Sequence, residues 1–159
     1  MKKNSIRFTV YSAVIAALYV ALTLISNAFG LASGVIQVRL SEALTILPIF
    51  TPAAIPGLFL GCILANIITG SVVLDVIFGS IATLIGAVFT YYLRRFRILP
   101  LIPPILSNTI IIPFVLAYVY KFEGSIGYFM ITVGMGEIIS CGILGFLLGE
   151  ALKKRTNIF

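Results

Sequence analysis

Of the 159 residues, 60% are hydrophobic and only 10% are charged, where a soluble domain carries roughly 25% charged residues. Eleven Lys or Arg and five Asp or Glu cannot coat a water-facing surface, and a mean hydropathy of +1.17 makes lipid the expected solvent. The length fits a single domain, 1–159, with room for roughly six or seven spans of ~20 residues and none for a large soluble catalytic domain.

The first apolar run, Phe8 to Asn27, follows a basic start. It could pass for a signal peptide with Gly30-Leu31-Ala32 as its exit, but it exceeds the usual apolar core of about 7–15 residues and is read as a first helix. From Gly34 to Leu40, Ile36, Val38 and Leu40 alternate with Gln37 and Arg39, a period of two that fits an extended, ordered loop. Ser41 is then placed to cap a short second helix, Glu42 to Phe50, whose first-turn acid complements the helix dipole. Thr51-Pro52 starts a third helix that runs to about Thr69, with Pro56 bending its first turns. Gly70-Ser71 breaks the run. The remaining helices are expected over Val72–Leu93, Leu101–Tyr120 and Ile126–Leu152, which makes the chain an all-α, six-helix membrane protein.

The formal charge of +6 is concentrated. Lys2, Lys3 and Arg7, then Arg94, Arg95 and Arg97, then Lys153, Lys154 and Arg155 form three clusters between apolar runs. Lys and Arg accumulate on the cytoplasmic side, so both termini and the loop after the fourth helix belong inside. Six crossings put all three there and leave Arg39 and Lys121 outside. Clusters that punctuate apolar runs, rather than line a water-exposed face, also exclude a nucleic-acid partner.

Several chemistries have no residues to carry them. There is no His or Trp, no Cys/His cluster with metal spacing, and Cys62 and Cys141 lie inside apolar segments without a secreted disulfide pattern. No G-x-x-x-x-G-K-[ST], H-E-x-x-H or G-x-S-x-G occurs, so the chain is expected to hydrolyse no ATP itself, to hold no metal or catalytic residue, and to be no enzyme.

An ionisable residue at bilayer depth is costly and ordinarily faces a bundle interior or cavity. Glu137 sits about eleven residues into the last helix, ~16 Å from its outer end, after Gly134 and Gly136, which permit close backbone approach. Asn108 falls at a similar depth in the fifth helix. Arg39, Glu42, Asn66 and Asp75 gather nearer the outer surface. Each has a plainer role available: Glu137 as a protonated helix-packing acid, Asn108 as interhelical glue, Glu42 and Asp75 as first-turn acids, Arg39 as a snorkelling loop residue. Their convergence in one half of the membrane favours a substrate pocket open to the outside. Ala13, Ala17 and Ala21 form a flat stripe on the first helix, suited either to packing inside the bundle or to docking on another membrane protein. Gly57-xxx-Gly61 and Gly145-xxx-Gly149 are assigned to internal packing. Tyr91, Tyr92, Tyr118, Tyr120 and Tyr128 are read as interfacial belts.

Three segments carry a family resemblance: V-R-L-S-E-A-L-T-I-L-P from Val38 to Pro48, F-T-P-A-A-I-P-G-L-F-L-G-C-I-L-A-N from Phe50 to Asn66, and G-M-G-E from Gly134 to Glu137. Through them the chain resembles the queuosine-precursor transporter family (QueT type), substrate-binding S components of energy-coupling-factor (ECF) transporters. The resemblance implies a six-helix S component in the bacterial plasma membrane. It also implies partners, a transmembrane T component and two cytoplasmic ATPases, and a mechanism in which the loaded S component topples against the T component. The alanine stripe looks like the docking motif of such proteins. The implied substrates are 7-deazaguanines: queuine, preQ1 or preQ0. Their ring N–H and amino donors suit a carboxylate, supplied by Glu137 or Glu42, with Arg39, Asn66 or Asn108 donating to the carbonyl and the second acid free for the cationic arm of preQ1. An S component for another vitamin-like compound, or a stand-alone proton-coupled carrier using Glu137, are the alternatives.

Overall fold

A computed structural model describes residues 2–31 and 36–154; the expectations for Ala32, Gly34 and Arg155 fall outside these. All regular structure among the described residues is helical, as the bilayer requires, because a helix satisfies its backbone hydrogen bonds within one segment. Helix α1 spans Lys2–Ala28, α2 Ala54–Ile68, α3 Val73–Tyr92, α4 Ile102–Phe114, α5 Ile126–Glu137 and α6 Gly145–Lys153. A 3-10 helix, Leu40–Ile49, lies between α1 and α2, and a short 3-10 turn, Leu99–Leu101, precedes α4. Segments of π-helix, Val115–Val119 and Ile138–Leu144, extend α4 and join α5 to α6. Four stretches are long and apolar enough to cross a membrane: Asn4–Ala28, Val73–Tyr92, Leu99–Val119 and Ile126–Lys153. Leu40–Ile49 and Ala54–Ile68 are apolar but shorter.

Contacts fix the direction of each segment. A Cβ on Gly57 would lie 2.8 Å from the Ser12 carbonyl oxygen and one on Gly61 2.8 Å from Tyr19 Cβ, so α2 runs parallel to α1, and Gly57-xxx-Gly61 is an internal packing surface as expected. The 3-10 helix runs back between them: the Leu40 amide donates to Ser26 Oγ near the end of α1, while Ile46 meets Gly149 near the end of α6. Gly145 likewise faces the Ala43 carbonyl. At the start of α4, Gly86 of α3 packs on Pro104, and Thr90 Oγ1 donates to the Pro100 carbonyl. Arg97 and Lys153 both pair with Glu150, at 3.4 and 3.0 Å. Six apolar segments therefore alternate in direction, and the start of α1, the α3–α4 turn and the end of α6 share one end of the bundle. Most of the basic residues lie at that end.

The second apolar segment departs from expectation. It is a 3-10 helix over Leu40–Ile49, not an ordinary helix from Glu42, and Arg39 rather than Ser41 occupies its cap position. Ser41 is buried, and its hydroxyl accepts from Thr23 Oγ1 at 2.9 Å. Every residue from Ser41 to Pro48 is buried, so surrounding side chains set the geometry in place of intrinsic propensity. At about 2.0 Å of rise per residue, ten residues reach ~20 Å, where an α-helix would reach ~15 Å. The start of α2 also shifts, to Ala54, although Thr51 Oγ1 still accepts from the Ala53 amide.

Two glycine turns shape the opposite end. After α1, Gly30 at φ 69° lets the Leu31 amide reach the Ser26 carbonyl and the Gly30 amide reach that of Asn27. After α2, Gly70 at φ 76° repeats the pattern, with Ser71 bonding Asn66 and Gly70 bonding Ile67. Both are Schellman closures, which need a residue in the left-handed region.

Candidate functional site

At the end of the bundle away from the basic clusters lies a cavity of about 230 Å³. Its wall is built from the last turns of α1 (Thr23, Ser26, Asn27), the strap before the 3-10 helix (Gln37, Arg39), the α2–α3 turn (Asn66, Ser71, Asp75) and the end of α4 with its loop (Ile112, Tyr120, Phe122). Beneath it is a second pocket of about 20 Å³, whose wall shares Gln37, Arg39 and Ile112 with the first and adds Glu42, Cys62, Thr83, Asn108 and Glu137. All six residues singled out from the sequence are thus brought together: Arg39, Asn66 and Asp75 around the wide chamber, Glu42, Asn108 and Glu137 below it, with Arg39 common to both.

The lower pocket holds two acids, each hydrogen-bonded to a neighbour. Tyr19 of α1 donates to Glu42 Oε1, and Cys141 donates to Glu137 Oε2 at 3.1 Å. The nearest ligand atoms of Glu42, Glu137 and Cys141 lie within 4.8 Å of one another. Asn108 lines the same pocket as both carboxylates. The π segment after Glu137 adds a residue to the turn, and such insertions are common at functional sites. There Ser140 Oγ accepts from the Arg39 amide at 3.1 Å, while Cys141 Sγ lies 3.5 Å from the Glu42 carbonyl. Thr45 Oγ1 donates to the same carbonyl at 2.6 Å and lies 3.4 Å from Cys141 Sγ.

In the wide chamber, Tyr120 donates to Asp75 Oδ2 at 2.8 Å and stacks on Phe122 at 5.5 Å between ring centroids. Burial, then the hydrogen bond to Asp75 and its charge, push the Tyr120 phenol up, so it remains a donor at neutral pH. Gly79 sits at the floor: a Cβ there would lie 3.4 Å from Asn66 Nδ2 and 3.7 Å from Asp75 Oδ1. The chamber therefore combines a carboxylate, a guanidinium, three amides, hydroxyls and two aromatic rings, a set suited to a flat, polar heterocycle.

Sequence reasoning missed several of these groups. Gln37 lines three adjoining cavities, and its backbone carbonyl packs directly on Gly136, where no Cβ fits. The alternation of Gln37 and Arg39 with apolar residues was the available signal. Tyr19 was hidden within an apolar run. Tyr120 lines the chamber and not the interfacial belt that its sequence position predicts, whereas Tyr92, Tyr118 and Tyr128 are exposed as a belt requires. Ala13, Ala17 and Ala21 are all exposed, so the stripe does not pack inside the bundle.

The sequence profile of the QueT transporter family matches residues 9–154. The chain belongs to that family. It is similar to the queuosine precursor transporter QueT of Lactococcus lactis subsp. cremoris (strain MG1363), with 36% identity over 85 residues covering 54% of this chain and 50% of the relative. The match spans about half the length of that curated relative. No solved structure matches the chain. Membership in that family and four stretches long and apolar enough to cross a membrane make the chain a multi-pass membrane protein.

Proposed function

We propose that this chain is the substrate-binding S component of an ECF-type importer and that its wide chamber captures a queuosine precursor outside a bacterial cell. The single observation that carries this reading is the chamber at the end opposite the basic clusters, lined by Asp75, Asn66, Arg39, Tyr120 and Phe122. By the positive-inside rule, that end faces outward and both termini are cytoplasmic. A 7-deazaguanine offers a flat ring to the aromatic pair, adjacent N–H donors to a carboxylate, and a carbonyl to a guanidinium or amide. The name of the Lactococcus relative supports the substrate class.

The chain carries no phosphate loop, so energy for uptake comes from partners: a T component and two cytoplasmic ATPases, against which the loaded S component topples to release substrate inward. No cofactor is bound by this chain. Reconstitution in liposomes tests the proposal. The chain alone should bind a deazaguanine without concentrating it, and accumulation should require co-reconstituted T component, ATPases and ATP. Sustained accumulation by the chain alone, driven by a proton gradient, would instead identify a carrier working through Glu42 and Glu137.

A further inference from the structure

The site is stepped in size and graded in charge. The wide chamber, about 230 Å³, narrows to a pocket of about 20 Å³, and a void of that size admits a group about as large as one water molecule. A ring system cannot enter it. Two of the three carboxylates in the combined lining, Glu42 and Glu137, stand in this narrow part, while the third, Asp75, stands in the wide part. Among the described lining residues only Arg39 carries positive charge, and it acts electrostatically on both Asp75 and Glu42. Three carboxyl groups thus face one guanidinium across the two pockets.

We infer that the narrow pocket is the specificity element of the site: it receives a short cationic arm of the ligand between Glu42 and Glu137, while Asp75 in the wide chamber reads the ring's N–H edge. The assignment rests on the proposed uptake of a 7-deazaguanine and decides which acid meets which end. The ammonium head of an aminomethyl arm is close in size to a water molecule, carries the charge the pocket lacks, and finds acceptors in both carboxylates. A neutral nitrile supplies no charge. A bulky ring-bearing arm does not fit. The site should therefore favour preQ1 over preQ0 and over queuine.

Calorimetry on the purified full chain with the three bases tests this. The wild type should bind preQ1 at least about tenfold more tightly than preQ0, because hydrogen bonds to charged groups are the strong ones. Glu137→Gln should remove most of that preference, whereas Asp75→Asn should weaken preQ1 and preQ0 alike. Acetylating the arm of preQ1 makes the same test on the unaltered protein, with an expected loss of at least about tenfold. Equal wild-type affinity for preQ1, its acetylated form and preQ0 overturns the inference, as does a Glu137→Gln loss shared by preQ1 and preQ0. A wild type that binds none of the bases overturns the substrate reading beneath it.

Discussion

Gly136 holds the strap that roofs the lower pocket. The Gln37 carbonyl rests on its Cα, in backbone-to-backbone contact, and one residue further on Glu137 points into the site. Neither side of that contact can yield by changing a rotamer. Gly136→Ala should therefore cost about 1–3 kcal/mol, the usual range for overpacking, and should displace Arg39 along with the strap. Thermal unfolding in detergent would register the first effect and deazaguanine calorimetry the second. Gly134 is a useful control, because its added Cβ would meet only the Thr109 side chain at ordinary contact distance, 3.4 Å; Gly134→Ala should behave nearly as wild type in both measurements.

On the scale of elements, α1 has two faces with separate work. Ser12, Ile15, Ala16 and Tyr19 are buried against α2 and the 3-10 helix, and Ile15 and Tyr19 belong to the hydrophobic core with Leu44, Leu58 and Cys62. Ala13, Ala17 and Ala21 look outward from the bundle. The helix is also the most exposed of the four long apolar stretches, with 22% of its span buried against 44% for the others. Small residues allow close approach of a second helix, so Ala17→Phe should weaken capture of the T component in a pull-down while leaving substrate affinity near wild type. Gly61→Val places bulk on the opposite contact, 2.8 Å from Tyr19 Cβ, and should lower the unfolding temperature with little effect on the exposed stripe. A loss of substrate binding in Ala17→Phe would mean that the stripe serves the site and not a partner.

The whole molecule has two chemically different ends. One holds Arg97, Glu150 and Lys153 in ion pairs with Arg94 over the Tyr91 ring; the other holds the cavity. Membrane-impermeant thiol reagents should read this polarity directly. Glu123→Cys, in the exposed loop beside the cavity, should be labelled on intact cells, and Phe96→Cys, exposed between the basic residues of the α3–α4 turn, only after permeabilisation. The native Cys62 and Cys141 are buried and should contribute little background. The reverse labelling pattern would turn the cavity toward the cytoplasm and remove the basis for capture from outside.

The sequence by itself determined the solvent, the helical class, the positions of the six apolar segments and the six polar residues that meet at the site. Each of these follows from composition or local cost: a charge-poor chain must face lipid, and a charge or amide inside an apolar helix must face something polar. Tertiary structure alone decided the rest. Leu40–Ile49 becomes a 3-10 helix in a setting where every residue from Ser41 to Pro48 is buried, a condition that no local pattern records. Tyr19 and Tyr120 become site residues because α1 and the end of α4 bring their hydroxyls to Glu42 and Asp75, partners 23 and 45 positions away in the chain. The step from a wide chamber to a water-sized pocket exists only in the packed bundle, where volume depends on how six segments meet and not on the order of residues in any one of them.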